Sequence, residues 1–114
     1  MAFVLKQTDT YKWPVTVEIP IDGGRFDKQT FDAEFKRLSQ DRNNAILEDA
    51  RMGNASDVDV CAEILVGWSG VNDADGKEVP FSEATKSMLM DVPQVAAAVV
   101  TAYFTSLPGA KRKN

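Results

Sequence analysis

Between Trp13 and Ile21 apolar and polar side chains alternate without a break: Trp13, Val15, Val17, Ile19 and Ile21 on one side, Pro14, Thr16, Glu18 and Pro20 on the other. A period of two with β-branched residues on the apolar side specifies a strand with one buried face. Both prolines fall in the outward set, and a proline cannot donate to a ladder, so this strand belongs at a sheet edge. Asp22-Gly23-Gly24 then supplies residues that tolerate the positive φ of a reversal. A second alternation follows, with Phe31, Ala33 and Phe35 opposing Asp32, Glu34 and Lys36. Phe31, Phe35 and Leu38 also fit helical spacing, but a helix there leaves the first strand without a partner for its backbone groups. The expected unit is a β-hairpin over about 13–38 with a rather long connection, preceded by a loosely ordered lead-in over 1–12.

Downstream the period changes. Ile46, Leu47 and Ala50 predict a helix over about 39–52, with Gly53 as its stop. Ser56 and Asp59 have capping-box spacing, and Val60, Cys61, Ile64, Leu65 and Trp68 follow as one helical face. That predicts a second helix over about 56–67, closed by Gly67 and Gly70. Residues 69–81 read as a loop, Ser82 caps a short helix over about 82–90, and Pro93 opens a last helix over about 93–107. Pro108-Gly109 ends it and leaves a basic tail, 108–114, with nothing apolar to bury. A chain of 114 residues suits one core. The expected fold is α+β: a single domain over 13–107, in which the hairpin packs with three or four α-helices.

Composition restricts the chemistry. There is no histidine, which removes histidine-dependent nucleophilic catalysis, imidazole metal ligation and histidine proton shuttling. Cys61 is the single cysteine, so neither an intrachain disulfide nor a Cys-x-x-Cys zinc site is available, and a reducing compartment is expected. The net charge of −4 is unevenly placed: residues 44–91 carry three basic against ten acidic side chains, whereas 92–114 carry only Lys111, Arg112 and Lys113. An acidic body disfavours nucleic acid, whose phosphates supply much of the affinity of such contacts. No stretch approaches the roughly 20 apolar residues of a membrane span, and the start of the chain has no charged leader or cleavage site. Neither nucleic acid nor membrane is expected as a partner.

Individual motifs weigh the same way. Asn72-Asp73-Ala74-Asp75-Gly76 suggests a calcium loop, but with Gly76 at its sixth position Val71 and Ser82 occupy the first and twelfth, where an oxygen ligand and a glutamate belong. A polar turn is the expectation. Cys61 lies on an apolar helix face, where a thiol packs as a small hydrophobe. Gly23-Gly24 lacks phosphate-loop spacing, no pair among the seventeen carboxylates is set in apolar surroundings, and Trp68 with Phe81 reads as core. Catalytic residues, metal and cofactor are therefore all expected to be absent. What remains is a binding module. The last helix carries apolar residues around more than half its circumference, so Val95, Val99, Tyr103 and Phe104 are candidate partner contacts, with a central buried helix as the competing reading.

The order Ile64-Leu65-Val66-Gly67-Trp68-Ser69-Gly70-Val71, Asp73-x-Asp75-Gly76, Val79-Pro80-Phe81-Ser82 resembles the tail assembly chaperones of long-tailed phages and their prophages. The upstream Val15-x-Val17-x-Ile19-Pro20-x-Asp22-Gly23-Gly24 and the Phe31-to-Leu38 run look like that family's N-terminal hairpin. The resemblance spans about 13–107, and its motif residues Gly67, Trp68, Asp73, Asp75, Gly76, Pro80 and Phe81 are expected to be structural. It implies a non-enzymatic protein of the host bacterial cytoplasm, absent from the mature virion, which binds the tape measure protein and recruits major tail tube subunits, with self-association as a further prospect. It also implies a minor longer product made by ribosomal frameshifting, for which the Lys-rich end is suited. The alternatives are another small phage part, such as a head–tail joining protein, and a small carboxylate-based enzyme.

Overall fold

The computed structural model describes residues 2–107. The expected tail over 108–114, and the frameshift site placed there, lie outside the described residues. The alternating runs form a long hairpin of β1 (Thr10–Ile21) and β2 (Arg25–Lys36), antiparallel in register from Thr10↔Lys36 to Ile21↔Arg25. Its connection is three residues, Asp22 to Gly24, with Gly23 and Gly24 at φ of +86° and +74°. The long connection expected from sequence is thus strand instead. Residues 25–30 lack apolar alternation and are all exposed, so backbone pairing with β1 rather than burial keeps them extended.

β1 also begins at Thr10, inside the expected lead-in. Tyr11 explains the extension. Its ring meets Phe35 edge to face at 5.9 Å, and its hydroxyl lies 2.6 Å from the Ser106 Oγ. Pro14 and Pro20 are exposed on an edge strand, as the alternation requires, since β1 pairs with β2 alone.

Four helices follow: α1 (Gln40–Arg51), α2 (Asp57–Ile64), α3 (Glu83–Met90) and α4 (Pro93–Thr105). The Ser56–Asp59 capping box forms in both directions at 3.0 and 3.1 Å. α2 ends at Ile64, not Gly67. Leu65 turns extended and starts β3 (Leu65–Ser69), which pairs antiparallel with β2. The outer edge of β2 offers unpaired backbone groups at this point, and pairing there satisfies more of them than another helical turn could. Lys86 secures the switch: its Nζ donates to the carbonyls of Leu65 at 2.7 Å and Ala62 at 3.3 Å, taking acceptors that a continuing helix would have used.

All helices that contribute core residues lie on one face of the sheet, giving two layers. Val15, Val17, Phe31, Ala33 and Phe35 face Val60, Cys61, Ile64, Leu65, Val95, Ala96, Val99 and Tyr103. α4 packs on β1 and against α2, which makes it the central helix. α1 sits outside it with only Ile46 buried, held by a bidentate surface pair from Arg42 to Glu63 of α2 at 2.7 and 2.6 Å. Among the described residues no single helix is long and apolar enough to cross a membrane.

Candidate functional site

The motif residues gather in one unit running from β3 through the following loop to α3. Gly67 occupies the middle of β3 for reasons of space. A Cβ there would lie 2.7 Å from Glu34 Oε1 and 3.3 Å from the Glu34 Cβ. The Glu34 carboxylate lies over this point while accepting a hydrogen bond from the Thr10 hydroxyl at 2.7 Å. Trp68, next along, stands opposite Ala33, and the small side chain leaves room for the indole.

Trp68 is half-buried, and both ends of its indole are engaged. The Nε1–H donates to the Val79 carbonyl at 2.7 Å, and Phe81 meets the ring edge to face at 4.9 Å and 78°. The ammonium of Lys86 approaches the Phe81 ring at 5.8 Å. Burial holds the Lys86 pKa below its usual value, partly offset by Glu83.

Between Trp68 and Phe81 the acidic stretch forms a tight turn. One oxygen of Asp73, Oδ1, accepts from the backbone N–H of Asp75 at 2.9 Å and of Lys77 at 3.0 Å. Gly76 reverses the chain at φ +83°, and Asn72 bridges Glu78 beyond it. These bonds assign Asp73 and Gly76 to the turn itself, as the sequence indicates. Pro80 then offers its carbonyl to the Thr85 hydroxyl at 2.8 Å, while Ser82 and Thr85 cap the start of α3. Every motif residue except Asp75, whose carboxylate is exposed, has a structural task visible here.

The proposed contacts on α4 fare differently. Val95, Val99 and Tyr103 are buried beneath the protein's own β1 and α2, so they cannot meet a partner in the folded chain. The competing central-helix reading holds for these three, and only Phe104 keeps part of its ring at the surface. Tyr103 is engaged further: it stacks edge to face on Phe35 at 5.3 Å and its hydroxyl donates to Asn43 Oδ1 of α1. Burial pushes its pKa up to about 12. Cys61 is fully buried beside α4, and burial raises its thiol to about 12, which makes it packing rather than a nucleophile. Among the described residues no three His, Cys, Asp or Glu side chains are placed to share a metal ion.

Sequence reasoning missed the apolar groups that the fold leaves uncovered. α2 and α3 diverge around a groove of about 320 Å³ lined by Val58, Ala62, Glu83, Lys86, Ser87, Met90 and Asp91. Val58 is 46% exposed at its edge, and Met88 of α3 is 70% exposed. Periodicity could not separate them from core positions, since both fit a helical apolar face. Phe3, Val4 and Leu5 are 64–89% exposed, and at the hairpin tip Phe26 is 61% and Ile21 44% exposed.

Residues 26–102, from the start of β2 to the last turns of α4, match the family described as YdaY prophage protein. The match covers more than half the chain, and the chain belongs to that family. No curated protein and no solved structure matches it.

Proposed function

We propose that this prophage-family chain is a non-enzymatic tail assembly chaperone, binding the helical tape measure protein and recruiting major tail tube subunits while the tail polymerises in the host bacterial cytoplasm. The observation that supports this best is the unit from Gly67 to Ser82. The same residues whose order resembles tail assembly chaperones fold as one strapped element, tied by the Trp68-to-Val79 hydrogen bond and the Trp68–Phe81 contact. A prophage family is the setting such a protein requires.

The partner surface moves from α4 to the groove between α2 and α3. An amphipathic helix lays its apolar face into such a groove, here over Val58, Ala62 and Met90. Glu83 and Asp91 on the walls favour a helix with basic flanks, and Asp57 and Asp59 add charge of the same sign at the start of α2. The chain then acts as a binder that keeps a long apolar helix from aggregating before tube subunits cover it.

Co-expression with the tape measure protein of the same prophage tests the reading. The two chains co-purify, and deleting this gene abolishes tails of normal length. Val58→Glu with Ala62→Glu, both on exposed positions, leaves the fold intact and ends co-purification. Normal tails without the gene overturn the chaperone assignment, and stable presence in purified virions makes the chain a joining protein instead.

A further inference from the structure

The hairpin is longer than the sheet that covers it. β3 pairs with β2 only over Asp32 to Phe35, and Gly70, at φ +84°, turns the chain away beside Phe31. Backbone parity shows what is left open. The N–H of Arg37 donates to the carbonyl of Asp9 at 2.9 Å, which continues the hairpin register one step beyond Thr10↔Lys36. Hydrogen-bonded pairs alternate with unbonded ones in an antiparallel ladder, so odd-numbered residues carry the bonds between β1 and β2. The even-numbered residues of β2 point their backbone groups outward. Asp32 and Glu34 find β3, whereas Phe26, Lys28 and Thr30 face an edge that no strand occupies among the described residues.

The two edges of the hairpin are not equivalent. On β1 the outward positions include Pro14 and Pro20, which present no N–H and so obstruct strand addition. The free stretch of β2 has no such block. Beneath it lies a groove of about 360 Å³ floored by Val17, Ile19, Phe31, Leu89 and Val95, with Val71 and Asp73 on its outer wall. An added strand would complete the ladder and place alternate side chains in that groove.

The same chain carries a segment of matching character. Phe3, Val4 and Leu5 are 81%, 64% and 89% exposed. In an extended conformation Phe3 and Leu5 share one face. Residues 2–7 hold one cation, Lys6, and no anion, while the loop walling the groove carries Asp73, Asp75 and Glu78 against the single cation Lys77. Reach excludes insertion into the chain's own groove. Phe26 to Thr30 lie about 20–34 Å along β2 from Lys36, at a rise of about 3.4 Å per residue. Residues 3–9 span at most about 21 Å from Asp9, which sits at the Lys36 end. Fully stretched, the segment arrives at Thr30 with nothing left to pair.

We infer that the segment around Phe3 to Leu5 of one copy adds as a strand to the open edge of β2, Phe26 to Thr30, of a second copy, with Phe3 and Leu5 in the groove beneath. This exchange is independent of the tail-assembly reading.

Sedimentation of the full chain across a concentration series tests it. The wild type self-associates. Phe3→Asp with Leu5→Asp, which alters no buried residue, gives a monomer whose melting curve in dilute solution is unchanged, and so does Lys28→Pro, which repeats on β2 the block that β1 already carries. Because Lys28→Pro acts inside a strand, an interchain cross-link supplies a second readout. Mixing a Leu5→Cys chain with a Gln29→Cys chain, whose new thiol is on the groove side of β2, under mild oxidation yields the mixed disulfide, Cys61 staying silent because it is buried. A monomeric wild type, association that survives the Phe3/Leu5 variant, or no mixed disulfide overturns the inference.

Discussion

One hairpin holds two environments. Near the sheet's third strand, Val15, Ala33 and Phe35 are 0% exposed, while near the turn Ile21, on the same face, is 44% exposed. The strands and their pairing are continuous between these halves, and the apolar face of β1 alternates from Trp13 to Ile21. Only the surroundings differ: α4 and α2 lie over one half and β3 flanks it within the sheet, and the other half projects past them. Alternation therefore reports which side of a strand is apolar, but the topology decides whether anything is packed against it. Burial supplies the stabilisation, so equal-looking residues in the two halves carry unequal weight.

The largest effect belongs to the covered half. Phe35 is enclosed and meets Tyr11 and Tyr103 edge to face at 5.9 and 5.3 Å. Phe35→Ala removes a ring that β1, α4 and the sheet all touch, and its expected cost is about 3–5 kcal/mol in urea unfolding. A loss below about 1 kcal/mol would mean that the core collapses onto the vacancy, and the contrast between the halves would lose its basis.

Local rules made most of the fold legible, and non-local pairing concealed the rest. The hairpin, the Ser56 and Ser82 caps and the start of α4 at Pro93 each depend on neighbours within four residues, and all are readable from the sequence. β3 is not, because Leu65, Gly67 and Trp68 fit a helical face, and what makes them a strand is the free edge of β2 some thirty positions earlier. Residues 25–30 failed for the converse reason: their strand is imposed by pairing and leaves no hydrophobic signature. The Gly67–Ser82 unit could be recognised as structural, since its turn chemistry is local, although the Trp68-to-Val79 bond could not. Val95, Val99 and Tyr103 were ambiguous in principle. An all-round apolar helix is central or sticky according to its surroundings, and the surroundings here bury it.

A second, intermediate effect comes from protons held beneath the covered half. Burial raises the Cys61 thiol from its ordinary value near 9 to about 12, with Asp57 adding in the same direction. An unfolded chain loses that proton above about 9, whereas the folded chain keeps it, so the folded state binds more protons in this window. Stability is then undiminished below pH about 9 and falls as pH rises toward about 12. Tyr103, moved from about 10 to about 12 by burial, adds the same sign from about 10 upward. Urea midpoints should be level between neutral pH and about 9 and decline beyond, and Cys61→Ala should flatten the first part of the decline. A midpoint that stays level would show that water reaches both groups, and the covered half would be more open than its side-chain burial indicates.

The smallest effect marks the uncovered half, and it is the sharpest test of the comparison. Ile21 ends the apolar face of β1 beyond the helices, while Phe26, opposite Pro20, points from the other face of the hairpin. Thr keeps the β-branched backbone preference that the strand ends require while removing most of the apolar surface. Ile21→Thr and Phe26→Thr should each shift stability by no more than about 0.5 kcal/mol, as at other surface positions. The measurement belongs in dilute solution, where association is suppressed and only the single chain's own packing is read. A cost of several kcal/mol from Ile21→Thr would place a cover over the tip on the helix-bearing face, and the two halves of the hairpin would then be alike. Neutrality in dilute solution combined with a loss of stability that appears only at high protein concentration would locate that cover in another copy.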